Sequence, residues 1–158
     1  MKFLLLLDTS GSMYGEKITG LNLAVENLLE GFKDLALQEP PQIAAVTFGG
    51  EPTVYPFAPV EHFEQVITKW EAGGKTRFHE AIKSATELTT DETITLIITD
   101  GAICDTGFDK IKLRGRIYCM PMGYDADIEL LEKSAIAQII SPVEAQHLAG
   151  YWYARYAK

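Results

Sequence analysis

Oxygen-bearing side chains at alternate positions follow the first apolar segment of the chain. Residues 3–7 are five consecutive apolar residues, and Asp8, Ser10 and Ser12 come directly after them. Alternate side chains of an extended segment point to the same side, so we expect this carboxylate and these two hydroxyls to converge. Gly11 lets the backbone bend around the point where they meet. Such oxygens suit a hard cation such as Mg²⁺, which takes oxygen ligands in near-octahedral geometry.

Two later segments carry similar residues. Thr76 follows a double glycine at Gly73 and Gly74, and Asp100 follows the uninterrupted segment Thr93–Thr99. That segment is typical of a strand buried on both faces, so Asp100 is expected at the carboxyl end of a strand, as is the first oxygen cluster. In open α/β sheets ligands bind beyond these strand ends, near the point where strand order reverses. Asp8 and Asp100 are therefore expected at the same edge of the sheet, and Thr76 is a third residue in the chain that could contribute an oxygen ligand.

The elements that would position this site alternate between helix and strand. Apolar residues three and four apart predict a long helix from about Glu16 to Leu37, and Ile43–Phe48 is typical of a second buried strand. Thr53–Tyr55 is predicted as an edge strand hairpinned to it, because the flanking prolines cannot donate ladder hydrogen bonds. The remaining predictions are helices at 59–70, 76–88, 108–113, 127–133 and from 142 onwards, and strands at 93–99, 117–120 and 136–140.

This alternation predicts an α/β fold. We expect a doubly wound, mostly parallel six-stranded sheet with one antiparallel edge strand and helices on both faces, because parallel strands need crossover connections. The 158 residues, 47% of them hydrophobic, suffice for one core, so residues 1–158 are predicted to be a single domain.

Composition and charge exclude some functions and favour a cytoplasmic protein. The net charge of −8 opposes nucleic-acid binding, which relies on clustered Lys and Arg. The apolar run at residues 3–7 is too short for a signal sequence or a membrane span. Cys104 and Cys119 have neither CxxC spacing nor a cysteine-dense framework around them, which indicates two reduced thiols.

The polar segments resemble the metal ion-dependent adhesion site of von Willebrand factor type A domains. That site is written Asp-x-Ser-x-Ser, then a Thr in a Gly-rich loop, then an Asp after a buried strand. The matching segments are Asp8-Thr9-Ser10-Gly11-Ser12, Gly73-Gly74-Lys75-Thr76 and Thr99-Asp100-Gly101. The order of elements also resembles the family over essentially the whole chain. Lys75 is a departure, because it lengthens the Gly-Gly-Thr step by one residue.

The resemblance implies a divalent cation, Mg²⁺ or else Mn²⁺ or Ca²⁺, and a partner protein whose Asp or Glu completes its coordination. The implied ligands are Asp8, Ser10, Ser12, Thr76 and Asp100. Hydroxyl ligands add no negative charge, so the ion would remain able to attract an outside carboxylate. The residues nearest these ligands in sequence are expected to form a partner-contacting rim: Met13, Tyr14, Arg77, Phe78, Ile103 and Asp105.

We therefore expect an adaptor or subunit without catalytic activity. By analogy with small intracellular members of the family, its partner would belong to a multi-gene system with an ATPase, kinase or phosphatase. The alternatives are a metal-dependent phosphohydrolase that uses Asp8 and a metal-free assembly module. A purely structural alternative is that Asp8 and the serines cap the next helix. Because we expect these groups to face solvent rather than the core, Asp8→Ala or Ser10→Ala should remove ion affinity and leave the fold intact.

Overall fold

One mixed sheet organises the protein. The computed structural model describes residues 2–34, 41–66, 69–101, 113–123 and 138–139. The strands are β1 Lys2–Leu7, β2 Gln42–Thr47, β3 Thr53–Pro59, β4 Thr93–Thr99, β5 Arg116–Pro121 and β6 Gln138–Ile139. They lie in the order β3-β2-β1-β4-β5-β6, and every neighbouring pair is parallel except the antiparallel pair β2 and β3. This confirms the predicted fold class.

In the described part of the chain, three α-helices cover the two faces of the sheet. They are α1 Glu16–Asp34, α2 Val60–Val66 and α3 Phe78–Thr86, and a short 3₁₀ turn at Gly11–Met13 precedes α1. The apolar sides of α1 and α2 pack in one core cluster, and that of α3 packs in the other. Within the described ranges, no helix has both the length and the apolar character needed to cross a membrane.

Strand β1 lies at the centre of the sheet and connects both cores. Phe3, Leu5 and Leu7 contribute to the core under α1 and α2, whereas Leu4 and Leu6 contribute to the core under α3. All five side chains are fully buried, which explains why this strand is continuously apolar rather than alternating. The chain leaves β1 toward β2 on one side, and β4 lies on the other. The end of β1 is therefore the topological switch point, the place where open α/β sheets commonly bind ligands.

Some element boundaries differ from the predictions. The edge strand β3 is longer than expected and includes Pro56, because the register with β2 shifts between Ile43 and Ala45 and leaves an extra β3 residue there. Such a bulge at an edge tolerates a residue that lacks an N–H. Of the helix predicted over 59–70, the structure describes α2, which ends at Val66. Trp70 is not helical.

The segment around Thr76 also differs from the prediction. The helix expected from Thr76 begins at Phe78, because Thr76 forms an isolated β-bridge with Gly49 instead. Leu113 is not helical, and the rest of the helix predicted at 108–113 lies outside the described residues. The same is true of the helices predicted at 127–133 and from 142 onwards and of the predicted end of α1 beyond residue 34.

Candidate metal centre

The ends of three adjacent strands are joined beside Asp8. The Asp8 N–H donates to the Ile98 carbonyl at 2.9 Å, and the Phe48 N–H donates to the Leu7 carbonyl at 3.0 Å. These bonds hold the carboxyl ends of β1, β2 and β4 side by side. The loop that follows β1, residues 8–15, therefore begins at the switch point of the sheet, and we call it the first loop.

A second loop, residues 73–77, lies directly against the first. The Gly11 N–H donates to the Gly74 carbonyl at 3.0 Å, and the Gly73 N–H donates to the Thr9 carbonyl at 2.9 Å. Gly74 has a φ of +77°, a conformation that favours glycine. Two segments that lie far apart in sequence are therefore bonded to each other at this edge of the sheet, as the motif spacing predicts.

The second loop is also attached to the segment after β2. The Gly50 N–H donates to the Lys75 carbonyl at 2.9 Å, and the Arg77 N–H donates to the Phe48 carbonyl at 3.1 Å. Thr76, between these two bonds, is buried. The extra residue Lys75 is thus accommodated by a backbone bond of its own, and its side chain is exposed.

The Asp8 carboxylate organises the oxygen cluster. Its Oδ1 accepts hydrogen bonds from the Ser10 N–H at 3.0 Å and from the Ser10 hydroxyl at 2.5 Å. Its Oδ2 accepts one from the Thr99 hydroxyl at 2.6 Å. The Ser10 and Ser12 hydroxyl oxygens are 3.1 Å apart. The structure therefore brings Asp8, Ser10 and Ser12 together as expected.

Thr99 is a member of this cluster that the motif did not indicate. Leu7 pairs with Ile98 in the parallel register of β1 and β4, so the next position along places Thr99 beside Asp8. Aligning the two predicted strands by their ends would have revealed this pair. Thr99 also accepts a hydrogen bond from the Gly101 N–H at 3.1 Å, which orders the turn that carries Asp100.

The cluster is buried, which corrects one expectation. Asp8 is 0% exposed and Ser10 is 1% exposed, so these groups do not face solvent. Replacing either by Ala would leave buried hydrogen-bonding groups without partners, which costs stability. Of the two serines only Ser12 is exposed. Ion affinity and fold stability can therefore be separated at Ser12 but not at Asp8 or Ser10.

Burial also governs the charge of Asp8. Desolvation raises the pKa of the Asp8 carboxyl, and hydrogen bonds from Ser10 and Thr99 act against this rise. The negative charge of Asp100 raises the Asp8 pKa further. A positive charge placed between these two carboxylates would relieve both the desolvation and the repulsion.

Lys17 supplies a positive charge that the sequence analysis did not anticipate. Its Nζ lies 3.2 Å from Asp100 Oδ2, and the Asp100 side chain is only 1% exposed. Lys17 is the second residue of α1, so the helix that follows the first loop carries an ammonium group back to the site. No motif signalled this contact, because the two residues are distant in sequence and meet only in the folded chain.

Two of the six predicted rim residues are wrong, and the role of the others stays a prediction. Tyr14 is 84% exposed, and Arg77 is exposed beside Thr76. Met13 and Phe78 are fully buried and cannot contact a partner: Met13 lies in the core with α1, and the Phe78 ring packs edge-on against Phe48 with centroids 5.2 Å apart. Adjacency in sequence did not reveal which way these side chains face. Ile103 and Asp105 lie outside the described residues.

The donor set of this site fits a hard cation. It combines neutral hydroxyls with two carboxylates, which suits Mg²⁺, Mn²⁺ or Ca²⁺ better than a softer metal. Across the part of the chain that the structure describes, no three His, Cys, Asp or Glu side chains group around a common point. Ser10 occupies the N-cap position of the 3₁₀ turn but makes no side-chain capping bond. Its hydroxyl binds Asp8 instead, which argues against a capping role.

A doubly wound sheet with a cluster of oxygen-bearing side chains at its switch point is typical of one class of α/β domain. The sequence profile of the von Willebrand factor type A domain matches residues 3–102. Because this match spans more than half of the chain, the chain belongs to that family. Comparison with curated proteins finds no match.

Solved structures with the same fold come from several bacteria. The chain is similar to an aerotolerance-related membrane protein from Bacteroides fragilis, with 14% identity, a TM-score of 0.69 and coverage of 98% of this chain and 99% of that one. It is similar to a von Willebrand factor type A protein from Catenulispora acidiphila, with 15% identity, a TM-score of 0.68 and coverage of 99% and 42%. A third similar structure contains three N-terminal domains of the type V pili tip protein Mfa5 from Porphyromonas gingivalis, with 18% identity, a TM-score of 0.55 and coverage of 65% and 20%. At these identities the likeness establishes the fold alone.

Proposed function

We propose that this domain binds a partner protein through a divalent cation, to which the partner contributes an Asp or Glu. The cation would be Mg²⁺, or Mn²⁺ or Ca²⁺ in its place. The observation that carries the proposal is the pairing of the first and second loops by backbone hydrogen bonds around the Asp8, Ser10 and Ser12 oxygens. The proposed hydroxyl ligands are Ser10, Ser12 and Thr76, and the carboxylates of Asp8 and Asp100 act on the ion directly or through water.

Each residue has a distinct role in this proposal. Asp8 holds the Ser10 hydroxyl in position, and Thr99 holds Asp8. Ser12 is the ligand on the exposed side, where a partner would approach. A bound ion would supply a coordination position that remains attractive to an outside carboxylate, because hydroxyl ligands do not neutralise its charge.

The charges around the site favour an acidic partner group. Lys75 and Arg77 are exposed on the second loop, in a protein whose net charge is −8. Arg77 also forms an exposed ion pair with Glu80 at 3.6 Å. Local positive charge would guide an acidic residue toward the site, whereas the negative net charge of the protein would repel it elsewhere.

The same geometry disfavours catalysis by Asp8. Both of its carboxylate oxygens accept internal hydrogen bonds, and the side chain is fully buried. A nucleophile needs an oxygen directed at the substrate. We therefore propose a binding role, as an adaptor or subunit, with no reaction of its own.

The decisive experiment is capture of partners from the native host with the domain as bait, in the presence of Mg²⁺ or of EDTA. We expect a specific partner to be retained in Mg²⁺ and lost in EDTA. Ser12→Ala bait, which keeps the fold because Ser12 is exposed, should lose the same partner. Retention of that partner in EDTA and by Ser12→Ala would instead identify a metal-free assembly module.

The rim is tested separately with the captured partner. Tyr14→Ala and Arg77→Ala should each weaken partner binding without changing the Mg²⁺ affinity of the free domain, since neither residue is a proposed ligand. Arg114→Ala is the matched control, because Arg114 is an exposed arginine paired with Asp91 outside the two loops. Full partner affinity in both rim variants would show that the partner docks elsewhere.

A further inference from the structure

We propose that Lys17 acts as a tethered internal cation that competes with the divalent ion for Asp100 and so lowers the affinity of the site for that ion. This inference rests on the proposed function, since it concerns how the same site is loaded. Its central observation is the contact between Lys17 Nζ and Asp100 Oδ2 at 3.2 Å.

The contact has the character of a charge-neutralising pair. The Asp100 side chain is 1% exposed and that of Lys17 is 19% exposed, so the carboxylate has little access to water. An ionised carboxylate in such a position is costly unless a positive charge accompanies it. Lys17 meets that need whenever no divalent ion is bound.

The position of Lys17 is unfavourable for its own helix. It lies in the first turn of α1, where the helix dipole favours acidic side chains such as the neighbouring Glu16 and disfavours cations. A lysine at this point therefore gains its stabilisation from outside the helix. The Asp100 carboxylate provides it.

Competition follows from the chemistry of the two cations. An ammonium group has three donors and no acceptor, so Lys17 cannot itself coordinate a metal ion while protonated. A divalent ion that binds Asp100 must either displace the ammonium group or bind close to its positive charge. Either event has a free-energy cost, and by linkage the same coupling lowers the affinity for the ion.

The test compares ion binding by the wild type, Lys17→Gln and Lys17→Arg. Mg²⁺ alone is titrated by calorimetry, and Mn²⁺ alone is followed by electron paramagnetic resonance. Lys17→Gln should bind both ions about 5- to 150-fold more tightly, the usual range of coupling between two sites. Lys17→Arg keeps the positive charge and should bind them less than about threefold differently from the wild type.

Lys33→Gln is the matched control for the lost charge. Lys33 also lies on α1, and it pairs with Glu30 and Glu64 away from the site. The Lys33→Gln substitution should leave the affinity of the domain for Mg²⁺ and Mn²⁺ unchanged. With no divalent ion added, Lys17→Gln should also melt at a lower temperature than Lys17→Arg, because the Asp100 carboxylate loses its contact with the Lys17 ammonium group, and Mg²⁺ should restore most of the difference.

The outcomes separate the two proposals. Equal Mg²⁺ affinity of the wild type and Lys17→Gln overturns the role of Lys17 and leaves the cation-bridged function standing. If Lys17→Gln binds Mg²⁺ and the wild type does not, Lys17 excludes the ion from the site altogether, which supports the proposal. If neither protein binds Mg²⁺ or Mn²⁺, the proposed function fails, and the competition fails with it.

A measurement on the wild-type protein avoids dependence on a substitution. The ¹⁵N resonance of the Lys17 ammonium group should shift when Mg²⁺ saturates the site, because the contact with Asp100 is lost or altered. An unchanged resonance at saturating Mg²⁺ would overturn the proposal even if Lys17→Gln does not fold.

Discussion

Ser10 and Ser12 have the same side chain and are two positions apart, yet their environments differ. Ser10 is buried and bonded to Asp8 through both its backbone N–H and its hydroxyl. Ser12 is exposed. Among the hydrogen bonds described for the cluster, its hydroxyl takes part only in the one with the Ser10 hydroxyl. A substitution at Ser10 therefore perturbs the fold together with the site, whereas a substitution at Ser12 tests the site.

Cys119 provides a residue-scale prediction. Its thiol is fully buried in the core under α3, and burial raises its pKa to about 12. Only the thiolate reacts with disulfide reagents. In a Cys104→Ser background, we expect Ellman's reagent at pH 8 to leave Cys119 of the folded protein essentially unmodified.

Unfolding should reverse this protection. In denaturant the Cys119 thiol regains an ordinary pKa of about 8.5 and should react within the usual time for a free cysteine. The measurement is absorbance of the released reagent anion with and without guanidinium chloride. Fast labelling of the folded protein at pH 8 would contradict the burial of β5 in this core.

At the scale of elements, close backbone packing joins the first loop to the end of β2. The Gly49 N–H donates to the Thr9 hydroxyl at 3.1 Å. A β-carbon on Gly49 would lie 2.1 Å from the Thr9 carbonyl oxygen, which is backbone and cannot rotate away. The absence of a side chain at this position lets the two segments meet.

Gly49→Ala should therefore be strongly destabilising. We expect a loss of about 2–3 kcal/mol in the free energy of unfolding, typical of forcing an extra carbon into a packed site. Gly73→Ala is the control from the second loop, because a β-carbon there would meet nothing within 4 Å, and it should change stability by less than about 0.5 kcal/mol. Urea denaturation measures both, and equal stability of the two variants would contradict the packing described.

At the scale of the whole molecule, a cation at this site would link parts of the chain that are distant in sequence. The proposed ligands come from the first loop, the second loop and the end of β4, segments that unfolding separates. A ligand that binds only the folded state stabilises it by mass action, by about 2.7 kcal/mol at a concentration 100 times its Kd.

Mg²⁺ at that concentration should accordingly raise the melting temperature. For a domain of this size we expect an increase of about 5–10 °C. Ser12→Ala should melt close to the wild type in EDTA and show little increase with Mg²⁺. Differential scanning calorimetry checks both, and an equal Mg²⁺ effect on the two proteins would place the ion elsewhere.

The sequence by itself determined the architecture and the location of the candidate site. The strand predicted at 93–99 coincides with β4, and β1 was evident from its apolar run, because strands buried on both faces leave an unbroken hydrophobic signal. Alternation of helices and strands then determined the parallel sheet, and polar residues after strand ends indicated the edge at which the candidate site lies. These features follow from local patterns, which a single sequence records.

Only the tertiary structure decided which side chains at that edge are buried and which are exposed. It buried Met13 and Phe78, which sequence adjacency had assigned to the rim, and it added Thr99 and Lys17 to the site. These residues lie at the ends of helices and strands, where the contacts of a side chain are decided by packing against segments distant along the chain. The pairing of Lys17 with Asp100, 83 positions apart, is a contact of this kind.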